Sequence, residues 1–328
     1  MSSDRNILDV RKSLSEARIS ELRRRIVALD SAENFPLLTI FSAGSYARNE
    51  ASQYSDVDLF FLYDRPSRDY KHSRIAEIKL FSDIVKISEE MGFPELSNDG
   101  EYLKILYLDE NLAELGGRGD DYQNHFTTRM LLLLESKPLF NDDNYWAAVA
   151  RVIDSYFRDY GDHASEFRPI FLVNDIQRFW KTLCLNYEHK RNQPEADQEK
   201  RIKQKIKNFK LKHSRLLTCF ASIAYLSSFP KPMRPEDVID MISLTPLQRL
   251  EYACDNTADL EPLFVTARKQ YVWFLEMTAL PTDDLYAWFL DDANRSLAFQ
   301  NAKQFGDTIF EILREVTTLN NYLRSIVL

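Results

Sequence analysis

The chain has 328 residues, of which 45% are apolar, and a formal net charge of −8. That apolar share builds real cores and excludes a disordered chain, the length suits about two domains, and the negative balance excludes a general nucleic-acid coat. Cys184, Cys219 and Cys254 are odd in number and far apart, no Cys/His cluster stands anywhere, no apolar run reaches a membrane span, and Met1–Leu8 holds no secretory segment, so the expectation is a cytoplasmic protein with free thiols, no structural zinc and no membrane contact.

In chain order, Ile7, Val10, Leu14, Ile19, Leu22, Ile26 and Leu29 recur at mostly helical spacing and predict an amphipathic helix over about 7–29. Pro36 breaks it, and Leu37–Phe41 reads as a strand. Gly44-Ser45 marks a turn, and Asp56–Leu62 is apolar enough for a strand buried on both sides. A second helix is expected over 73–91, stopped by Gly92-Phe93-Pro94, then a strand over 101–108. Gly116–Asp121 reads as a polar surface loop, and the Arg118-Gly119-Asp120 tripeptide inside it as chance. From about 122 onward the spacing is helical, in segments 122–136, 143–160, 174–191, 199–227, 235–241, 246–253, 258–278 and 296–325. Within them, Trp180 with Ile176, Phe179, Leu183 and Tyr187 reads as helix packing. Two domains follow, 1–145 and an all-α domain over 146–328.

The most informative stretch is Gly44-Ser45 followed, after ten residues, by Asp56-Val57-Asp58. Residues i and i+2 of a strand share a face, roughly 6.5–7 Å apart, so both carboxylates point one way. Two carboxylates beside a buried strand repel each other and are costly to desolvate. A bound cation removes both penalties, and hard oxygen ligands suit Mg²⁺ or Mn²⁺ completed by substrate phosphates. Gly44 permits close backbone approach, and Ser45 adds a hydroxyl and an N–H for phosphate. Arg48 adds a cation nearby, or pairs with Glu50 and fixes the loop.

These residues resemble the DNA polymerase β-type nucleotidyltransferase superfamily, and most closely the nucleotidyltransferase domain of protein-PII uridylyltransferases and their relatives. Gly44-Ser45-Tyr46-Ala47-Arg48-Asn49-Glu50 and Ser55-Asp56-Val57-Asp58-Leu59 fill that pattern, with Ala47 and Asn49 in place of glycines, which stiffens the loop. Arg129–Asp142 is similar to the helix and turn that close the domain, so the likeness runs over roughly 35–145. It implies an α+β fold with a small mixed sheet, divalent metals on Asp56 and Asp58, and an NTP donor seated by Gly44 and Ser45. It also implies a third carboxylate that helps activate the acceptor hydroxyl; Asp99 and Glu101 are the candidates, Glu95 a weaker one. The activity implied is transfer of a nucleoside monophosphate to a hydroxyl, with a protein as acceptor and RNA or a small molecule as alternatives. A non-catalytic nucleotide-sensing module, or a toxin or defence enzyme acting on RNA or nucleotides, are the rival readings.

Eight Lys and Arg fall in the sixteen residues Lys200–Arg215, with no acid among them. Such a concentration in an acidic chain suits a triphosphate or an acidic acceptor, and Lys207, Lys212 and Arg215, nearest the apolar run that follows, are the expected phosphate contacts. The plain alternative is a solvated face with aliphatic stems packed down.

Overall fold

The computed structural model describes residues 2–64, 73–96, 100, 103–192, 197–229, 232–322 and 324. The fold is α+β: a four-stranded mixed sheet with helices, followed by helices alone. The chain divides into two compact units, Leu8–Ser155 and Tyr156–Leu328 with Met1–Ile7.

The first unit holds helix α1 (Ser2–Val27) from Leu8 onward, and strands β1 (Leu38–Ala43) and β2 (Asp58–Tyr63). Helix α2 (Arg74–Glu90) leads to β3 (Ile105–Tyr107), which continues directly into α3 (Leu108–Ala113). Helix α4 (His125–Leu134), β4 (Ser136–Phe140) and α5 (Asp142–Tyr156) complete it. The sheet order is β3-β2-β1-β4, with β1 antiparallel to both neighbours and β2 parallel to β3. The parallel pair is joined through α2, as a crossover requires.

Alternation sorts the sheet's residues. Leu38, Ile40, Leu59, Phe61, Tyr63 and Leu139 form one core with Ile19, Leu22 and Ile26 of α1 and Leu80, Ile84 and Ile87 of α2. On the opposite face Phe41 stacks on Phe60 at 5.4 Å and meets Tyr145 of α5 edge-on. Leu59–Tyr63 are all buried, as expected of a strand covered on both sides. Asp58 shares the face of Phe60.

Three expectations are corrected here. Of the strand expected over 101–108, the described residues show Ile105–Tyr107 as strand, and the chain turns helical at Leu108. Ser136–Phe140 is a strand and not a turn; Pro138 cannot donate to a ladder, but β4 lies at the sheet's edge and pairs with β1 across a register shift. Asp56 stands ahead of β2 and not inside it, because Ala43, the last residue of β1, already pairs with Asp58.

The second unit contains α6 (Ile170–Arg191), α7 (Gln198–Lys210), α8 (Leu216–Ser228), α9 (Pro235–Ser243), α10 (Pro246–Asp255), α11 (Glu261–Met277), α12 (Thr282–Leu290) and α13 (Asp292–Leu319). The helix expected over 199–227 is interrupted by a π turn at Leu211–Arg215, a rare departure from the i→i−4 ladder. Helix α12 is an addition to the sequence reading; it buries only Leu285 and Phe289, too few for a clear period. Trp180 packs edge-on against Phe220 at 5.7 Å, the helix-packing role expected of it. No described helix is long and apolar enough to cross a membrane.

Candidate functional site

β1 runs into the loop Gly44–Ala51, a single helical turn closed by two reverse bonds. The Arg48 N–H donates to the Gly44 carbonyl at 3.1 Å, the Asn49 N–H to that of Tyr46 at 3.3 Å, and the Glu50 N–H to that of Ser45 at 2.8 Å. This is a Schellman closure, which needs a left-handed residue at its fifth position. Asn49 provides it with φ +61°. Asparagine is among the few side-chain-bearing residues that enter this region readily, so Asn49 reproduces the backbone that a glycine would give.

Gly44 is left-handed too, with φ +75°, and a Cβ built on it would lie 3.1 Å from Oδ2 of Asp58. The two halves of the motif, fourteen positions apart, are thus in direct contact. The register explains it: Ala43 faces Asp58 across the β1–β2 ladder, so the residue after Ala43 must turn past that carboxylate. Asp56 is exposed, Val57 buried and Asp58 half-buried, with Ser45 half-buried on the loop. A local turn precedes the acids, in which the Ser52 N–H donates to Ser55 Oγ at 2.9 Å and the Ser55 N–H to the Ser52 carbonyl at 3.1 Å.

Of the two roles considered for Arg48, the structure shows the pairing. Its guanidinium is buried; Nε donates to Glu50 at 2.7 Å and Nη1 to Glu135. Glu135, between α4 and β4, has a fully buried side chain. Other anchors come from α1 and β4. Arg11 Nη1 donates to the Glu50 carbonyl at 2.9 Å, and Ser15 Oγ accepts from the Ala51 N–H at 3.1 Å. The Lys137 ammonium donates to Asn49 Oδ1, and burial pushes its pKa down. None of Arg11, Ser15, Glu135 and Lys137 was marked by the sequence; Glu135 closes an apolar helix and reads there as an ordinary solvated end.

Tyr46 is buried edge-on against Phe93 at 5.4 Å. The Arg18 guanidinium lies 4.1 Å from the Phe93 ring centroid and donates to the Met91 carbonyl at 3.0 Å. Burial pushes the Tyr46 phenol pKa up, Arg18 opposes that, and the negative charge of Asp56 adds to it. Tyr46, Arg18 and Asp56 therefore share one electrostatic neighbourhood.

The other expected residues fall as follows. Asp99 and Glu101 lie outside the described residues. Glu95 is exposed beyond the end of α2. Lys207 is exposed on α7, Lys212 is exposed on the π turn with Nζ 5.7 Å from the Phe299 ring centroid, and Arg215 at the end of that turn is half-buried. Asp120 is fully buried and bonded to buried Arg129 at 2.8 Å, so the Arg118-Gly119-Asp120 tripeptide is a structural element with no exposed carboxylate to offer. Among the described residues no group of three or more His, Cys, Asp or Glu side chains is gathered for a metal.

As oxygen donors, Asp56 and Asp58 are chemically coherent with one another. One exposed and one half-buried carboxylate supply hard oxygen ligands, and a glycine keeps a Cβ away from one of them. Such oxygens fit a divalent ion of the Mg²⁺ type. No curated protein and no solved structure matches the chain significantly. Residues 23–108, which hold Gly44, Ser45, Asp56, Asp58 and strands β1 to β3, match the family model of the nucleotidyltransferase domain.

Proposed function

We propose that the unit Leu8–Ser155 transfers a nucleoside monophosphate from an NTP to a hydroxyl acceptor and releases pyrophosphate. The observation that carries this reading is the contact of the Gly44 turn with Asp58, since a phosphate-seating backbone and a metal-holding carboxylate must be neighbours for this chemistry. Asp56 and Asp58 would hold Mg²⁺ or Mn²⁺. The ion, when bound, neutralises charge on the phosphates and on the attacking and leaving oxygens.

The chain's own residues do the rest by positioning. Gly44 lets the backbone approach the phosphates without a side chain in the way, and Ser45 offers its hydroxyl and N–H to them. Arg48 acts from inside, holding the loop. The acceptor oxygen forms a bond to the α-phosphorus while the bridging oxygen bond to the β-phosphate breaks, and the electron pair leaves with pyrophosphate. The acceptor's proton passes to a carboxylate, for which Asp99 and Glu101 are the proposed groups.

The acceptor we infer is a protein side chain, from the likeness of Gly44–Glu50 and Ser55–Leu59 to the uridylyltransferase pattern. A second reading, an RNA acceptor, is favoured by the cations of Lys200–Arg215, six of which are exposed, five on α7 and Lys212 on the π turn. Lys207, Lys212 and Arg215 are the proposed contacts for an acidic part of the donor or acceptor.

The test is incubation with each of four labelled NTPs, with Mg²⁺ or Mn²⁺ and cell lysate, followed by fractionation into protein, RNA and small molecules. Label in protein with release of pyrophosphate supports the primary reading, and label in RNA the second. Absence of pyrophosphate release with every NTP and every acceptor fraction overturns both.

A further inference from the structure

We propose that Glu135 is a positioning residue of the nucleotide site, acting through Arg48 on the Gly44–Ser45 turn. The proposal rests on the transferase reading above and adds to it a residue outside the matched segment 23–108.

Four buried charged groups meet behind the loop. Arg48 lies between the carboxylates of Glu50 and Glu135, and Arg11 donates to the Glu50 carbonyl. Arg11, Arg48 and Glu50 are each less than a tenth exposed, and the Glu135 side chain is fully buried. Two positive and two negative charges balance. Burying four ionised groups is expensive, and apolar residues of equal volume stabilise a fold at least as well. What a buried fork-shaped cation does supply is direction, because a guanidinium bonds carboxylates only in its own plane.

That direction is transmitted. The Arg48 N–H holds the Gly44 carbonyl at 3.1 Å, and Gly44 is the residue whose backbone passes against Asp58. Glu135 fixes the guanidinium, the guanidinium fixes residue 48, and residue 48 sets the carbonyl and left-handed turn of Gly44. Lys137, two residues after Glu135, holds Asn49 on the same turn, so one short segment of the chain grips the loop at two successive residues. A shift of the turn by a fraction of an ångström moves Ser45 relative to the carboxylates, and misplacement on that scale costs transfer about tenfold to a hundredfold.

E135Q keeps the volume and removes the charge, and R48K keeps the charge and loses the fork. Both are expected to melt as one cooperative unit, to raise the KM for NTP about tenfold and to lower kcat less. The double variant E135Q/R48K should show a KM no higher than the worse single variant, because both substitutions break one contact. A KM equal to that of the wild type in folded E135Q, with only the unfolding midpoint lowered, overturns the proposal. Where E135Q does not fold, R48K decides by the same KM criterion. Binding of a fluorescent ATP analogue with Mg²⁺ to the wild-type chain separates the two levels. A wild type that binds no nucleotide and releases no pyrophosphate overturns the transferase reading together with this one. A wild type that binds and transfers, beside an E135Q of unchanged KM, overturns the positioning role alone.

Discussion

Gly44 passes so close to Asp58 that a Cβ at residue 44 would stand 3.1 Å from the Asp58 Oδ2 atom, on a backbone of φ +75°. G44A therefore meets two costs. The left-handed backbone costs an alanine roughly 1–2 kcal/mol, and the new methyl pushes on the carboxylate. Urea unfolding should register a loss of about 1–2 kcal/mol, and pyrophosphate release should fall at least tenfold. The reverse substitution three positions on, A47G, lies where no positive φ is needed and should leave activity within about twofold. Equal activity of G44A and the wild type would remove the turn from the site.

Asp56 and Asp58 differ in surroundings, and their variants should differ in stability but not in activity. Asp56 is exposed and stands ahead of the ladder, whereas Asp58 is half-buried against the Gly44 turn. D56N should leave the unfolding free energy measured in urea within about 0.5 kcal/mol of wild type. Both D56N and D58N should lose transfer at least roughly a hundredfold, since the charge that would hold the metal is what each removes. Titration of Mg²⁺ against a fluorescent ATP analogue checks the cause: the concentration needed for half-maximal signal should rise in both.

How much of this site can be read from sequence follows from what each part depends on. The turn, the carboxylates and the strands around them are local, and apolar runs beside Gly44 and Asp58 announce them. Helices α1 and α2 announce themselves by period. The short edge strand β4 does not, because Ser136-Lys137-Pro138-Leu139-Phe140 mixes polar groups with a proline and owes its strand state to pairing with β1. The anchor at Glu135 is invisible for a stronger reason. It lies 87 residues from Arg48, and only the tertiary fold brings the two together. Asn49 falls between these cases: the residue type admits a left-handed turn, and the Schellman bonds show that this one is used.

Lys207 and Lys212 are exposed on neighbouring turns of the helical unit and are proposed to meet an acidic ligand. K207Q/K212Q should weaken binding of an anionic acceptor without changing the unfolding midpoint. With a single-stranded RNA as ligand, the slope of log K against log salt should flatten by about 0.7 for each cation lost. Filter binding at several salt concentrations measures this. An unchanged slope would return both lysines to the role of solvated surface.

His213 makes the helical unit sensitive to acid. It is fully buried in the π turn, stacked on Phe274 at 4.7 Å and on Phe305 at 5.3 Å, with Phe209 edge-on at 4.7 Å. Nδ1 lies 3.0 Å from the Phe209 carbonyl and Nε2 has no partner among the described residues, an arrangement for the neutral ring with its hydrogen on Nδ1. Burial pulls its pKa down from 6.5 to about 4; the Phe209 carbonyl opposes this and Lys212 adds to it. The folded state thus resists the proton that the unfolded chain accepts readily. Above pH 6.5 neither state is protonated and the group is neutral to stability. As pH falls from about 6.5 to 4 the unfolded state binds the proton first, so stability is lost across that window, by roughly 3 kcal/mol in all if the full shift is expressed. Below about 4 both states are protonated and the loss from this group stops. H213F places a ring of similar size between the two phenylalanines and cannot be protonated. Urea midpoints at pH 7 and pH 5 should differ clearly in the wild type and much less in H213F; an equal difference in both would assign the acid sensitivity to other groups.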